Sequence, residues 1–290
     1  MTTLGAVYLP QVPPDRLKAV VRAADESGLD QLWLWEDCFL YSGIAAASAA
    51  LGWSERLRIG LGLLPVPLRN VALTAMELAT IEQLFPGRLL PGVGHGVQDW
   101  MGQVGARVAS PMTLLAEHVH ALRELLHGQT VTTAGRYVTL DNVTLDWPPA
   151  SAPPIYVGAV KPRTLELAGT LADGTVLTSG STPADVRAAR TVIDAARAAA
   201  GRTDRHEVVV YLIAATGTDA AARLAGELAR WKLGSVDDLG VSGNATAIAE
   251  GISRWVEAGA DSVILQPTLD DPDPEQFVRF VGEQVQPLVV

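Results

Sequence analysis

The sequence has few cysteines, few basic residues relative to acidic ones and no long apolar run, and each shortage excludes a class of protein. Cys38 is the single cysteine among 290 residues, so one chain forms neither a disulfide framework nor a thiolate metal site. Lysine and arginine total 22 against 32 aspartate and glutamate residues, which gives a net charge of −10. Nucleic acid and anionic membranes are therefore poor partners for this protein.

No apolar stretch approaches the ~20 residues that are needed to span a bilayer. The first residues, Met1–Leu9, lack the basic region and following apolar region of a secretory signal peptide. Hydrophobic residues make up 48% of the chain and charged residues 19%, which is enough for a large buried core. The composition predicts a soluble cytoplasmic protein.

Short leucine-rich or β-branched runs alternate with stretches in which apolar residues have helical spacing. Eight runs predict strands: Leu4–Leu9, Gln31–Trp35, Arg58–Leu64, Leu89–Val93, Ile155–Gly158, Thr175–Thr178, Val208–Ala214 and Ser262–Gln266. Repeated strand–helix units imply parallel strands, because a parallel pair needs a crossover connection. The pattern predicts an α/β fold, a (β/α)8 TIM barrel formed by residues 1–290 as one domain.

An open doubly wound sheet is the alternative fold. It would be supported by a nucleotide-binding fingerprint, but Gly92-Val93-Gly94-His95-Gly96 lacks the spacing of the third glycine. No acidic residue stands convincingly at the end of a following strand either. The barrel is therefore the favoured prediction.

Residues 128–154 interrupt the alternation of strands and helices. Apolar residues such as Val131, Val138 and Leu140 alternate with polar ones, and Gly135 and Asp141-Asn142 are typical turn residues. The pattern predicts a hairpin inserted among the barrel loops, of the kind that often serves as a lid or an interface.

Two adjacent acids, Glu36 and Asp37, directly follow the second predicted strand. In a barrel, functional groups gather just past the carboxyl ends of the strands. Either carboxyl group is a candidate to donate or accept a proton in catalysis. A loop acid that binds backbone N–H groups is an equally good explanation of this pair.

Glycines are concentrated in the third and fourth predicted strands. Gly60 and Gly62 weaken their strand unless something approaches the backbone closely, either a planar ring or a tightly packed neighbour. Three alternate glycines within Gly92–Gly96 leave one face without side chains and open room for a ligand. His95 lies among them and is a candidate to bind that ligand, with a purely structural role as the alternative.

The fifth predicted strand leads directly into a basic helix start. Gly158-Ala159-Val160 precede Lys161-Pro162-Arg163, and proline suits a first helical turn. Free N–H groups at a helix start, next to two cations, favour a phosphate, and a solvated basic pair is the alternative. Ser179 and Gly180, after the sixth strand, are candidate further donors to that phosphate.

Several segments resemble the luciferase-like superfamily of flavin- and deazaflavin-dependent oxidoreductases. Within it, they look most similar to the branch with methylenetetrahydromethanopterin reductase and deazaflavin-dependent sugar-phosphate dehydrogenases. The segments that carry the resemblance keep the family's order along the chain: Ala23–Asp30 with Leu32–Asp37, Arg58–Pro65, Phe85–Arg88 with Gly92–Trp100, and Val157–Gly158 with Pro162–Gly169 and Leu171–Gly174.

The resemblance implies a luciferase-like barrel with an insertion, commonly a homodimer. It places the cofactor ring near Glu36, Asp37, Gly62, Leu63, Gly94, His95 and Gly96, and the cofactor phosphate near Gly158–Arg163 and Ser179-Gly180. It also implies a cis peptide bond between Gly62 and Leu63. The branch often has Asp-His where this chain has Glu36-Asp37, so no histidine proton donor carries over. It commonly has glycine in place of Lys161.

The leading hypothesis is an oxidoreductase that transfers hydride between the deazaflavin coenzyme F420 and a small organic substrate. An FMN-dependent monooxygenase that uses reduced flavin and oxygen is the first alternative, and a non-catalytic cofactor-binding protein is the second. No metal is expected, because His118 and His120 point away from each other on a predicted helix. The sequence does not identify the substrate.

Overall fold

Strands and helices alternate along the chain as the hydrophobic pattern predicts. A computed structural model describes residues 2–233 and 238–289. In chain order the elements are β1 (Thr3–Tyr8), α1 (Leu17–Glu26), β2 (Gln31–Leu34), α2 (Gly43–Trp53), β3 (Arg58–Pro65), α3 (Val71–Leu84), β4 (Leu89–Gly94), α4 (Gln98–Gln103), α5 (Pro111–Leu126), β5 (Val131–Ala134), β6 (Thr139–Val143), β7 (Tyr156–Gly158), α6 (Pro162–Leu171), β8 (Gly174–Leu177), α7 (Pro183–Ala199), β9 (Glu207–Ala215), α8 (Ala220–Arg230), β10 (Gly240–Ser242), α9 (Ala245–Glu257), β11 (Ser262–Pro267) and α10 (Pro274–Phe280).

Eight of the described strands close into a parallel barrel in the order β1-β2-β3-β4-β7-β8-β9-β11. The pairing of β8 with β9 and of β11 with β1 closes the ring, which excludes the open doubly wound sheet. All eight predicted barrel strands are confirmed, each with boundaries within one residue of the prediction. The short strand β10 pairs with the carboxyl end of β9, above the part of β9 that pairs with β8.

The insertion also has the predicted form. Strands β5 and β6 make a two-stranded antiparallel sheet, separate from the barrel and with one register shift. The Glu117 carboxylate on α5 accepts hydrogen bonds from the backbone N–H groups of residues 136–138, between the two strands. This acid fastens the hairpin to the helix that precedes it.

The barrel interior is packed with side chains and is not a pore. The buried residues that face it are Val7, Leu9, Trp33, Leu90, Tyr156, Val176, Val209, Tyr211 and Ile264. A larger apolar layer fills the space between the strands and the surrounding helices. Side chains alternate between the two faces of a strand. The residues that face the interior therefore determine which residues further along the same strand also face inward, at the barrel mouth.

Large aromatic side chains inside the barrel explain one of the predicted glycine positions. A Cβ atom on Gly60 would lie 2.1 Å from the Trp33 side chain, which occupies that space. The Trp33 ring in turn packs edge-on against Tyr156 and Tyr211, at centroid distances of 5.9 and 5.7 Å. Of the two explanations offered for Gly60, tight packing within the protein is the one that the structure supports.

Several residues of the segments that carry the family resemblance brace the amino-terminal end of the barrel. The Asp25 carboxylate accepts hydrogen bonds from the N–H groups of residues 55–57, just before β3. Arg88 donates to the carbonyl oxygens of Ser54 and Leu57. Asp173 accepts from the Ile155 N–H and pairs with Arg123 and Arg202. These polar residues hold strand starts in place, away from the mouth.

None of the helices in the described ranges is long and apolar enough to cross a membrane.

Candidate active site

A half-open cavity of about 610 Å³ lies at the carboxyl ends of the barrel strands. Its walls come from seven of the eight barrel strands or the loops that follow them, as this architecture predicts. The lining residues are Trp35, Glu36, Asp37, Gly62, Leu63, Pro65, His95, Gly96, Val97, Trp100, Gly158, Ala159, Val160, Lys161, Thr164, Thr178, Ser179, Tyr211, Trp231, Leu233 and Gln266. Apolar and aromatic side chains dominate the set, as in most small-molecule sites.

A bulge in β3 forms one wall of the cavity. The peptide bond between Gly62 and Leu63 is cis, as predicted, and the register with β4 shifts between Leu61 and Leu64. A second non-proline cis bond joins Cys38 and Phe39, which the sequence analysis did not predict. The bulge turns the Leu63 side chain into the mouth.

The Leu63 side chain changes the interpretation of the neighbouring glycines. A Cβ atom on Gly94 would lie 2.8 Å from it, and a Cβ atom on Gly158 only 2.0 Å. Both glycines therefore make room for Leu63, and the prediction that alternate glycines open the strand directly to a ligand is wrong for Gly94, which is buried and does not line the cavity. Gly158 still borders the cavity.

The two candidate acids have different environments in the structure, and the Glu36 carboxylate is held by an ion pair and a backbone hydrogen bond. Its carboxylate forms a two-pronged ion pair with Arg69, with Nη2 donating to Oε2 at 2.8 Å and Nη1 donating to Oε1. The Gly43 N–H, at the start of α2, donates to the same carboxylate at 2.6 Å. Arg69 also lies 3.6 Å from the Glu77 carboxylate. Glu36 thus has the structural role that was the alternative for this pair.

Asp37 has the opposite environment. It is partly buried on the cavity wall, and no group in residues 2–233 or 238–289 donates a hydrogen bond to its carboxylate. Burial raises the pKa of Asp37 above its usual range. An unpaired carboxyl group that borders a cavity, with a pKa shifted toward neutrality, has the properties of a general acid or base.

His95 lies on the cavity wall, where one ring nitrogen contacts a side chain and the other, Nδ1, has no hydrogen-bond partner among the described residues. Its Nε2 atom is 3.5 Å from Thr164 Oγ1, which links the loop after β4 to helix α6. Burial lowers the pKa of His95, so the neutral ring is favoured. A neutral imidazole can bind a ligand by a hydrogen bond but supplies no charge.

The basic helix start is present, but its two cations diverge. Helix α6 begins at Pro162 with Lys161 as the N-cap residue, and no side chain caps it. Lys161 lines the cavity, whereas Pro162 and Arg163 are exposed and lie outside its lining. Successive helical residues rotate by about 100°, so two residues beyond Lys161 the side chain leaves from a different side of the helix.

Ser179 also differs from its predicted role. Its hydroxyl donates to Gln266 Oε1, at the end of β11, so its proton is not available to a phosphate. Gly180 lies against the Leu233 side chain and does not line the cavity. The prediction that Ser179-Gly180 add donors to a phosphate site therefore lacks structural support at both residues.

Sequence analysis overlooked several residues of the lining. Trp100 and Trp231 border the opening. Tyr211 and Gln266 extend into the cavity from strands that were predicted correctly. The one available sign for Gln266 is a polar residue at the end of the apolar run Val263–Leu265. A strand prediction does not reveal which inward residues lie at the mouth, because that depends on the closure of the barrel.

Comparisons with known proteins agree with this architecture. The luciferase-like monooxygenase family matches residues 1–233. A 5,10-methylenetetrahydromethanopterin reductase from Methanolobus tindarius is 29% identical over 223 residues, which cover 76% of this chain and 67% of the relative.

Two solved structures have the same fold over almost their full length. The coenzyme F420 dependent tetrahydromethanopterin reductase from Methanopyrus kandleri superimposes with a TM-score of 0.86 at 20% identity, over 99% of both chains. The oxygenating constituent of 3,6-diketocamphane monooxygenase from Pseudomonas putida, in complex with FMN, gives a TM-score of 0.80 at 17% identity, over 100% of this chain and 99% of that one. With its barrel, β3 bulge and inserted hairpin, the chain belongs to the luciferase-like monooxygenase family.

Proposed function

We propose that this protein is an oxidoreductase that transfers hydride between coenzyme F420 and a small organic substrate. The observation that carries the proposal is the unpaired Asp37 carboxyl group beside the β3 bulge, in one largely apolar cavity. The similarity to methylenetetrahydromethanopterin reductases and the segments that resemble the deazaflavin branch support F420 as the coenzyme.

The residues of the cavity fit a bound deazaflavin. Its volume of about 610 Å³ suits a ring system with a small substrate. The buried Gln266 Nε2 atom has no hydrogen-bond partner among the described residues and borders the space that a ligand would fill. Lys161 stands at the opening, beside the uncapped start of α6, where a phosphate group is favoured by charge and by the helix end.

Each residue of the site has a distinct part in the proposed reaction. The bound coenzyme supplies the hydride chemistry. Asp37 holds or releases the proton that accompanies hydride transfer, and burial raises its pKa, which makes the protonated form easier to populate. The ion pair between Glu36 and Arg69 fixes the start of the loop that carries Asp37. The apolar rim, which includes Trp100 and Trp231, limits access of water.

An FMN-dependent monooxygenase is the second candidate function, and a specific observation favours it. The diketocamphane monooxygenase was solved with FMN and shares the fold over the whole described barrel. Fold alone does not distinguish the two coenzymes. The distinction therefore depends on a binding measurement.

We predict that the purified protein binds F420 at least about tenfold more tightly than FMN, a difference of about 1.4 kcal/mol. Titration of the apoprotein with each coenzyme, followed by fluorescence, measures both dissociation constants. Reduced FMN should cause no oxygen consumption above the rate without protein. Tighter binding of FMN together with oxygen consumption would overturn the proposal in favour of the monooxygenase.

We also propose that the protein is a homodimer, with helix α3 in the interface. Leu73, Met76 and Leu84 lie on one face of α3 and are 49, 57 and 66% exposed, and Trp147 of the insertion is 78% exposed. The Gln83 side chain donates to the Trp147 carbonyl, so the two elements form one surface. Such an exposed apolar patch is typical of a protein interface.

Met76→Glu should convert the dimer to a monomer, because a charge buried in an apolar interface is strongly unfavourable. Sedimentation velocity of the wild type and the variant measures the change directly. Leu288→Glu is the matched control, since Leu288 is 48% exposed but lies outside α3 and the insertion. A wild type that is monomeric at micromolar concentration, or a dimer that survives Met76→Glu, would contradict this interface.

A further inference from the structure

Gln266 is a buried side chain that lines the cavity, and one end of its amide makes no hydrogen bond within the described residues. It is 1% exposed, and it points inward from β11, two residues after the interior residue Ile264. Its Nε2 atom has no hydrogen-bond partner among the described residues. A buried amide N–H without an acceptor costs about 1–3 kcal/mol. Because Gln266 borders the cavity, a ligand bound there would supply the missing acceptor.

Ser179 fixes which end of the Gln266 amide faces the cavity. The Ser179 hydroxyl donates to Gln266 Oε1, so the amide presents its N–H groups and not its carbonyl. The backbone gives this pair little freedom, because Ser179 lies just past β8 and Gln266 is paired with Ile213 of β9. The pair is therefore an oriented, uncharged donor at the cavity floor.

The position of this donor distinguishes substrate from coenzyme. The β3 bulge, His95 and the helix start at Lys161 follow the third, fourth and fifth barrel strands. Gln266 ends the eighth strand, which is diametrically opposite the fourth in an eight-stranded ring. A ring that lies on the bulge, with its phosphate toward Lys161, leaves the β11 side of the mouth for the second reactant.

The charges around the cavity indicate which chemical class of substrate suits its β11 side. Among the described residues that line the cavity, Lys161 is the one cation, and it is exposed at the opening; Arg69, behind Glu36, is committed to that carboxylate. The unpaired Asp37 carboxyl group shares the cavity and repels anions when it is ionised. Within the described lining, a carboxylate or phosphate of the substrate would meet no cation beside Gln266, whereas a neutral oxygen needs just one N–H donor.

We propose that Gln266, oriented by Ser179, binds the carbonyl or alcohol oxygen of an uncharged substrate. The inference rests on the proposed hydride transfer. In the direction of reduction, the carbonyl carbon accepts the hydride, the C–O double bond becomes single and the oxygen accepts the proton from Asp37. The ketone or aldehyde thereby becomes an alcohol, with both electrons carried in the one hydride taken from the reduced coenzyme, and Asp37 regains its proton from solvent.

The test uses the full-length protein with cyclohexanone labelled with carbon-13 at the carbonyl. In the dead-end complex with oxidised F420, Gln266→Leu should move the bound carbonyl resonance upfield, toward its position in an apolar solvent. The KM for cyclohexanone with reduced F420 should rise about threefold to tenfold, as expected for one neutral hydrogen bond. The dissociation constant for F420 should change less than twofold.

Two further variants separate ligand binding from folding. Ser179→Ala leaves the amide in place but frees it to rotate, so it should shift the carbonyl resonance in the same direction by a smaller amount. Gln31→Leu removes another buried glutamine with an unpartnered Nε2 atom, at the opposite end of the barrel. It should leave the resonance and the KM unchanged.

Three results would overturn the assignment. An identical carbonyl resonance in the wild type and Gln266→Leu would show that the amide does not touch the oxygen. A tenfold loss of F420 affinity in Gln266→Leu would make the amide a coenzyme contact. Failure of the wild type to bind cyclohexanone would remove the substrate class. A parallel titration of cyclohexanone without coenzyme tests the two proposals separately. If F420 does not bind but the carbonyl resonance still differs between the wild type and Gln266→Leu, F420 is the wrong coenzyme and the Gln266 contact stands.

Discussion

Asp37→Asn should lower turnover of cyclohexanone with reduced F420 by about two to four orders of magnitude, the usual contribution of a general acid or base. The affinity for F420 should change little, because asparagine keeps the shape of the side chain and loses only the ability to ionise. Steady-state kinetics gives the first quantity and coenzyme titration the second. An equal fall in turnover and coenzyme affinity would instead make Asp37 a binding residue.

The pH dependence of the wild type provides a second readout. Burial raises the pKa of Asp37, so for oxidation of the alcohol, where Asp37 acts as the base, kcat should fall as pH decreases through a value above the usual ~3.9. The Asp37→Asn variant should lose this acid limb. Retention of the limb in the variant would assign the titration to another group.

Glu36→Gln is the matched control for Asp37→Asn. It removes the neighbouring charge without removing a proton donor from the cavity, and it leaves Arg69 with a weaker partner. We expect a lower melting temperature and a much smaller loss of turnover. Comparable losses of turnover in the two variants would mean that Asp37 cannot be distinguished from Glu36 as the residue that transfers the proton.

Lys161→Ala should weaken F420 binding about tenfold to a hundredfold, the equivalent of one charge-assisted hydrogen bond of ~1.5–3 kcal/mol. Lys161 lines the cavity beside the uncapped start of α6. Arg163→Ala is the matched control two residues further on, because Arg163 is exposed and outside the lining. It should change the affinity less than twofold.

A coenzyme analogue that lacks the phosphate locates the effect of Lys161. Its affinity should be the same for Lys161→Ala and the wild type, because only the contact with the phosphate is lost. Equal losses for the intact coenzyme and the analogue would mean that Lys161 contacts the ring or acts through the fold. A loss confined to Arg163→Ala would move the phosphate to the outer side of the helix start.

The order of strands and helices could be predicted because it depends on local patterns. Apolar runs such as Ser262–Gln266 and the helical stretches between them determine their own secondary structure, and the need for crossovers makes the strands parallel. The roles of individual site residues did not follow in the same way. Glu36 and Asp37 are adjacent acids after one strand, and they differ only through Arg69, which lies more than 30 residues further along the chain.

The glycines illustrate the same limit from the side of packing. The sequence shows that Gly60 and Gly94 remove side chains, but it does not show what fills the space. Trp33 reaches across from β2 to Gly60, and the bulge turns Leu63 toward Gly94. Both contacts join residues of neighbouring strands, so they exist only after β2, β3 and β4 have paired in this register.

By itself, the sequence determined the parallel barrel, the inserted hairpin, the family resemblance and the loops in which a site would form. Periodicity, turn residues and composition are properties of short segments, so predictions based on them do not depend on contacts between distant residues. Tertiary structure alone decided that Asp37 is the unpaired acid, that Lys161 and not Arg163 borders the cavity, and that Gln266 presents a free N–H. Each of these depends on pairing and burial between residues that are far apart in the chain, which only the closed barrel brings into contact.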